Sequence, residues 1–147
     1  EAAIGLAQMD KLPAQMPVRA RIVERYNQAF ADLPEVRTPP AVVDGAHGWH
    51  LYIVQLDTDA LDIDRDDFIL GLNDLNISAI VHYIPLHLFT HYKSVCGVRE
   101  GDFPNAELAY SRVVSLPLWP GMDEQDTEDV IAAVTWLVKK HARKRIA

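Results

Sequence analysis

The 147-residue sequence predicts an α/β protein of the α+β type, built on a small, mainly antiparallel sheet of three strands. Short runs of β-branched and aromatic residues at 49–56, 77–84 and 113–118 indicate the strands. Stretches with helical periodicity separate these runs, so helices should pack on one face of the sheet. Apolar residues make up 49% of the chain, which is enough for a packed core.

A long N-terminal helix is predicted over residues 1–33, and Pro13 and Pro17 should break or kink it. Its first part, residues 1–12, is apolar on nearly all sides, which is typical of a helix that is buried on most sides. We therefore expect it to pack against another chain or to leave an apolar patch exposed. Two interpretations remain open: an upstream segment has been removed, or this helix forms a dimer.

The elements up to the second strand follow from local signals. Residues 33–48 are rich in proline and glycine and predict a loop. Asp64 is a suitable N-cap for a helix that runs to about Leu75, since a carboxylate accepts hydrogen bonds from free amides of the first turn. Pro85 should end the second strand, because it has no N–H to donate to a sheet.

The C-terminal part predicts two further helices around the third strand. Residues 85–104 indicate an irregular segment with a short helix near 89–94. Asn105 is a possible N-cap for the helix before the third strand, and Asp123 caps the last helix. The acidic start and basic end of this last helix suit its dipole. Its apolar stripe is formed by Val130, Ile131, Val134, Leu137 and Val138.

Composition excludes several classes of protein. The chain has 14 Lys and Arg against 21 Asp and Glu, a net charge of −7, which argues against a nucleic-acid binder. The single cysteine, Cys96, rules out a disulfide framework and a cysteine-based zinc site. No apolar run is long enough to span a membrane, and no signal-peptide pattern is present. A cytoplasmic protein without membrane contact is expected.

Two clusters could suggest a metal site, but neither has suitable spacing. The acidic run at 57–67 lacks the glycine that a calcium loop needs, and a solvated turn before a helix cap explains it. His47 and His50 should point to opposite sides of a strand. His87 and His91 are four residues apart, but no Glu follows the first His, as it would in a zinc protease. We predict no metal site.

The segment 81–92, VHYIPLHLFTHY, contains three histidines and two tyrosines around Pro85. It lies at the predicted end of a strand, where sites are commonly built on a rigid scaffold. The sequence contains no nucleophile or phosphate-loop motif that would form a complete catalytic centre. From these residues alone, a functional site and a structural loop are equally good interpretations.

Four stretches occur together along the chain: EAAIGLAQMDKL (1–12), GWHLYIVQLD (48–57), ISAIVHYIPLHLFTHY (77–92) and GDFPNAELAYSRVVSLPLWPGMDEQDTEDVIAAV (101–134). In this order they resemble the C-terminal small domain of the DegT/DnrJ/EryC1/StrS aminotransferases. These are pyridoxal-phosphate enzymes that aminate keto-sugars, usually nucleotide-linked ones. Pro17 departs from the pattern, since it falls where the family carries an Arg-rich helix.

The resemblance implies a domain organisation. Residues 1–147 would be the small domain, with 1–33 as the linking helix region, and the large cofactor-binding domain would lie upstream, outside this chain. That upstream domain would carry the lysine that binds pyridoxal phosphate, so no cofactor is expected to be covalently bound here and the chain alone should be inactive. The lysines that lack a matching context are Lys11, Lys93, Lys139, Lys140 and Lys144.

The resemblance also implies substrate-binding residues, though no catalytic one. His82, Tyr83 and His87 match the H-Y-x-P-L-H loop that lines the sugar side of the cleft, and His50 and Tyr92 are secondary candidates. Imidazole and phenol suit a sugar, because each offers a hydrogen-bonding edge and an apolar face. The alternative for each residue is a hydrogen bond that fixes the loop.

The partners implied for the whole enzyme are a nucleotide-sugar substrate and an amino donor, in a homodimer. Two other functions remain open. One is a sugar dehydratase of the same family, in which a histidine replaces the upstream lysine. The other is a non-catalytic binding or dimerisation module with the same fold.

Overall fold

The computed structural model describes residues 2–40 and 47–143. In chain order the elements are α1 (Ala2–Met9), α2 (Leu12–Phe30), β1 (Val36–Arg37), β2 (Tyr52–Leu56), α3 (Arg65–Asp74), a 3-10 helix (Leu86–Leu88), α4 (Thr90–Cys96), α5 (Pro104–Arg112), β3 (Val113–Leu116) and α6 (Glu124–His141). The predicted α+β class is confirmed.

The three strands form one antiparallel sheet in the order β1-β2-β3. Val36 pairs with Leu56, and Tyr52 pairs with Leu116. Side chains alternate along β2, so Tyr52, Val54 and Leu56 are buried while the residues between them are more exposed. One face of the sheet is therefore turned to the core.

The core includes this sheet face and the apolar sides of α2, α3 and α6. Tyr26 of α2 is fully buried, and its ring centroid lies 5.7 Å from that of Phe30 and 5.0 Å from that of Tyr52. The Tyr26 hydroxyl donates to the Pro117 carbonyl over 2.9 Å, and the Tyr52 hydroxyl donates to Asn27 Oδ1 over 2.7 Å. Burial raises the pKa of both phenols well above the usual value, so both remain neutral donors.

Both predicted aspartate caps are confirmed. Asp64 accepts a hydrogen bond from the Asp67 amide over 2.9 Å at the start of α3. Asp123 and Asp126 form a capping box at the start of α6, in which each side chain accepts from the other's backbone N–H. The predicted α6 stripe packs into the core, with Ile131 partly buried at its edge.

The predicted break in the N-terminal helix occurs at Asp10 and Lys11, directly before α2. Pro13 occupies the first turn of α2, where its missing N–H leaves no helical hydrogen bond unmade. The helix continues through Pro17 and ends at Phe30.

Helix α1 presents its apolar side chains to solvent. Ile4, Leu6 and Met9 are 68%, 69% and 65% exposed, and no residue of α1 is buried. In the single chain, α1 therefore carries an exposed apolar patch.

The prediction of a strand over 77–84 is wrong. Only Ile80 forms a bridge, with Ser115 of β3. The same register would place Ser78 opposite Pro117, which has no N–H to donate, and His82 opposite Val113, where α5 has just ended. This edge of β3 is therefore too short to pair a second full strand.

Strand β1, which completes the three-stranded sheet, lies in the segment 33–48 that is predicted as a loop. Val36 is buried and pairs with the end of β2, although prolines flank it at 34, 39 and 40. The prediction of Asn105 as a helix cap is also wrong. Phe103 is the N-cap residue and Pro104 begins α5, the position at which proline is most favourable in a helix.

Candidate functional site

His82 lies beside β3, at the edge of this strand that does not pair with β2. Its Nδ1 is 2.8 Å from the hydroxyl of Ser115, which is only 4% exposed. The His82 ring packs edge-on against the ring of Tyr83, with the centroids 4.7 Å apart, and the peptide bond between these residues is cis. The half-buried His82 is thus held by the sheet on one side and by an aromatic ring on the other.

A small cleft of about 180 Å³ brings His82 and His50 together. His50 precedes β2 and is exposed, while Ser115 forms part of the wall. The residues that line the cleft are His50, Leu51, Ser78, Ile80, His82, Ser115, Leu116, Pro117 and Leu118, with no carboxylate among them. Imidazole and hydroxyl groups against apolar walls suit an uncharged or anionic oxygen-rich ligand.

Tyr83 and Tyr92 are both open to solvent. Tyr83 is 72% exposed, directly after His82. Tyr92 lies in α4, is 38% exposed and packs against the ring of His91 with centroids 5.3 Å apart. Neither tyrosine lines the cleft that His50 and His82 share.

His87 is turned into the protein. It is 7% exposed, and its Nε2 lies 2.8 Å from Glu107 Oε1. The same carboxylate oxygen accepts a hydrogen bond from the Gly101 amide over 2.8 Å, and the ring of Phe103 lies 4.8 Å from that of His87. His87 therefore connects the 3-10 helix to α5 and to the loop before α5, and it does not line the His50–His82 cleft.

These contacts change the acidity of Glu107. The Gly101 N–H and then the His87 imidazole stabilise the charged carboxylate, and they hold its pKa below the ordinary value of 4.5. A carboxyl whose folded pKa is depressed stabilises the fold above its unfolded pKa and loses this contribution as the pH falls through the folded value.

Replacing Glu107 with glutamine is expected to make the free energy of unfolding depend less on pH in the acidic range. The free energy of unfolding should be lower in Glu107→Gln than in the wild type near neutral pH. The difference should shrink as the pH falls below the ordinary pKa of about 4.5 and through the lower pKa of the folded Glu107 carboxyl. Urea unfolding between about pH 7 and pH 3 measures this. Glu100→Gln, the same change of charge at an exposed position in the turn before α5, is the control. A wild-type advantage that stays constant with pH would contradict the assignment.

No lysine in the described part of the chain is suitably placed to bind pyridoxal phosphate covalently. Lys11, Lys93, Lys139 and Lys140 are exposed on or beside helices, and the Lys140 ammonium lies 4.6 Å above the ring of Trp136. None of them lines the cleft beside His82. Lys144 falls outside the described residues. Within residues 2–40 and 47–143, the lysines lie on exposed surfaces that do not fit a covalently bound pyridoxal phosphate.

Within residues 2–40 and 47–143, no three His, Cys, Asp or Glu side chains come close enough to hold a metal ion together. In the same ranges, no helix has the length and apolar character needed to cross a bilayer.

The partners of the two motif histidines, Ser115 and Glu107, were not identified from the sequence. One signal for Ser115 was available: it is a polar residue between Val114 and Leu116 in an apolar strand, and a buried hydroxyl requires a hydrogen-bond partner. No comparable signal marks Glu107, which is one of several carboxylates on exposed helices.

Known proteins of similar sequence match most of this chain. Residues 1–135 match the model of the DegT/DnrJ/EryC1/StrS aminotransferase family. The spore coat polysaccharide biosynthesis protein SpsC of Bacillus subtilis is 42% identical over 140 residues, which cover 95% of this chain and 36% of SpsC. The chain thus spans about a third of the length of the curated relatives it matches.

Solved structures show the same similarity. A sugar aminotransferase from Streptococcus pneumoniae, described as putative and solved in its PMP form, superposes with a TM-score of 0.84 at 28% identity, over 95% of this chain and 35% of that one. DesV of S. venezuelae, solved in complex with a ketimine intermediate, gives 0.81 at 26% identity, over 99% and 36%. The chain belongs to the DegT/DnrJ/EryC1/StrS aminotransferase family.

Proposed function

We propose that this chain is the substrate-covering C-terminal domain of a pyridoxal-phosphate-dependent aminotransferase that aminates a nucleotide-linked keto-sugar. Family membership and the similarity to sugar aminotransferases support the reaction class. The coverage of about a third of each relative supports a domain of a larger enzyme. The single observation that carries the proposal is the cleft that His50 lines together with His82, whose ring is held by Ser115.

The chain's own residues would bind and orient the sugar. The second ring nitrogen of His82, Nε2, would bind a sugar oxygen, and His50 would offer a second imidazole in the same cleft. Tyr83, exposed beside His82, is proposed to contact the substrate from outside the cleft. Holding the sugar in one orientation and excluding water are the contributions expected of such a domain.

His87 and Tyr92 have different roles in this proposal. His87 is buried against Glu107, so it would act on the substrate through the position of the loop that follows Pro85. Tyr92 is partly exposed on α4, and a contact with the distal part of the substrate is proposed for it. The cofactor, the amino donor and the contacts of a homodimer are assigned to the whole protein.

Borohydride trapping tests the proposal. The whole protein, incubated with pyridoxal phosphate and then reduced, should carry one adduct per chain at a lysine outside residues 1–147. The present chain, treated in the same way, should carry no stoichiometric adduct, because its described lysines lie on open surfaces. Lys93→Ala and Lys140→Ala in this chain are controls for random surface labelling.

Product analysis completes this test. The whole protein, supplied with an amino donor and a nucleotide-linked keto-sugar, should release the amino sugar, identified by mass spectrometry. A stoichiometric adduct on a single lysine of this chain would contradict the proposal. Release of a dehydrated sugar without amination would replace it with the dehydratase function.

A further inference from the structure

Ser115 makes three hydrogen bonds to the segment that carries His82. Its backbone N–H donates to the Ile80 carbonyl over 2.8 Å, and its carbonyl accepts from the Ile80 N–H over 3.3 Å. Its hydroxyl oxygen lies 2.8 Å from Nδ1 of His82. The bridge positions the backbone two residues before His82, and the hydroxyl positions the ring.

The direction of the hydroxyl contact follows from burial. Ser115 is 4% exposed, and a buried hydroxyl proton without an acceptor is costly. In the described part of the chain, the only hydrogen-bond partner of the Ser115 hydroxyl is Nδ1 of His82. If Nδ1 carried the proton, the hydroxyl proton would have no partner. The arrangement that satisfies both groups has the Ser115 O–H donating to an unprotonated Nδ1.

We propose that Ser115 is a positioning residue that selects the Nε2–H tautomer of His82. A neutral imidazole that accepts at Nδ1 carries its proton on Nε2, so His82 presents a hydrogen-bond donor to its cleft. This inference rests on the proposed function for its substrate, and it specifies the recognition: His82 binds an acceptor oxygen of the sugar. A substrate that lacks this oxygen is bound less well, since the donor is then left unpaired.

The tautomer is measurable without any substrate. In protein labelled with ¹⁵N-histidine, the long-range ¹H–¹⁵N spectrum of neutral His82 should show a protonated Nε2 and an unprotonated Nδ1, with the signals assigned by their loss in His82→Gln. In Ser115→Ala the two tautomers should exchange, so that the nitrogen shifts move toward each other. A protonated Nδ1 in the wild type would overturn the proposal, whether or not the whole protein is an aminotransferase.

Kinetics of the whole protein provide the second readout. Threonine and valine have nearly the same shape, but only threonine retains a hydroxyl, so Ser115→Thr and Ser115→Val form a matched pair. Ser115→Val and Ser115→Ala should lower kcat/KM for the keto-sugar about tenfold, the effect of one displaced hydrogen bond. Ser115→Thr should stay within about threefold of the wild type. KM for the amino donor should not change.

Melting temperatures distinguish positioning from simple packing. Both members of the pair add a branch at the same buried Cβ, which should lower the melting temperature of both variants, and Ser115→Val additionally loses the hydroxyl. If Ser115→Thr and Ser115→Val lose the same activity, the hydroxyl has no positioning role and the proposal fails. If the whole protein shows no amination at all, the proposed function fails, and the spectrum of His82 still decides the tautomer.

Discussion

Replacing His82 with alanine in the whole enzyme is expected to lower kcat/KM for the keto-sugar by about tenfold to a hundredfold. His82 is half-buried in the wall of a cleft, and one of its ring nitrogens is fixed by Ser115. Removing the ring would remove the proposed hydrogen bond to the substrate and the surface against which Tyr83 packs. The cofactor contacts are assigned to another part of the enzyme, so cofactor affinity should not change.

The fold should tolerate this change. Removal of the imidazole opens the otherwise buried Ser115 hydroxyl to the cleft, where water can take the place of the ring, and the melting temperature should fall by only a few degrees. His91→Ala is the matched control, because His91 is an exposed histidine of α4 that does not line the cleft. A large fall in melting temperature with normal turnover would show that His82 only fixes the loop.

Replacing Tyr26 with alanine is expected to destabilise the protein by about 3–5 kcal/mol, the range for large aromatic side chains removed from a core. Tyr26 is fully buried and packs against Phe30 and Tyr52. Its hydroxyl also satisfies the carbonyl of Pro117, so the alanine variant has both a cavity and an unpaired acceptor. Most of the stability of a small domain would be lost.

Two further variants separate these contributions. Tyr26→Phe retains the ring and removes only the hydroxyl, and it should cost about 1 kcal/mol. Tyr83→Ala removes the same side chain from an exposed position and should change the free energy of unfolding by less than about 0.5 kcal/mol. Urea unfolding with a linear fit measures all three. Equal losses for Tyr26→Ala and Tyr83→Ala would refute the assignment of Tyr26 to the core.

Features that depend on neighbouring residues could be predicted from the sequence. The caps at Asp64 and Asp123 need only residues two or three positions away, and both occur as predicted. The break before Pro13 follows from the chemistry of one residue. The apolar stripe of α6 follows from its period.

Features that depend on distant partners could not be predicted in this way. Whether 77–84 forms a strand is decided by β3, which Pro117 and α5 limit to four residues. The motif identified His82 and His87, but their partners Ser115 and Glu107 lie 33 and 20 residues away along the chain. No local pattern records such pairs, and only the folded backbone brings them within hydrogen-bond distance.

The hydrogen bond between Tyr26 and Pro117 also has a mechanical consequence. Pro117 is part of the cleft wall and directly follows β3, while Tyr26 belongs to α2, the longest helix among the described residues. A rotation of α2 would therefore act through this hydrogen bond on the backbone at Pro117, which forms part of the cleft wall. If the enzyme opens and closes around its substrate, a movement of α2 would be transmitted through Pro117 to the cleft that His82 lines.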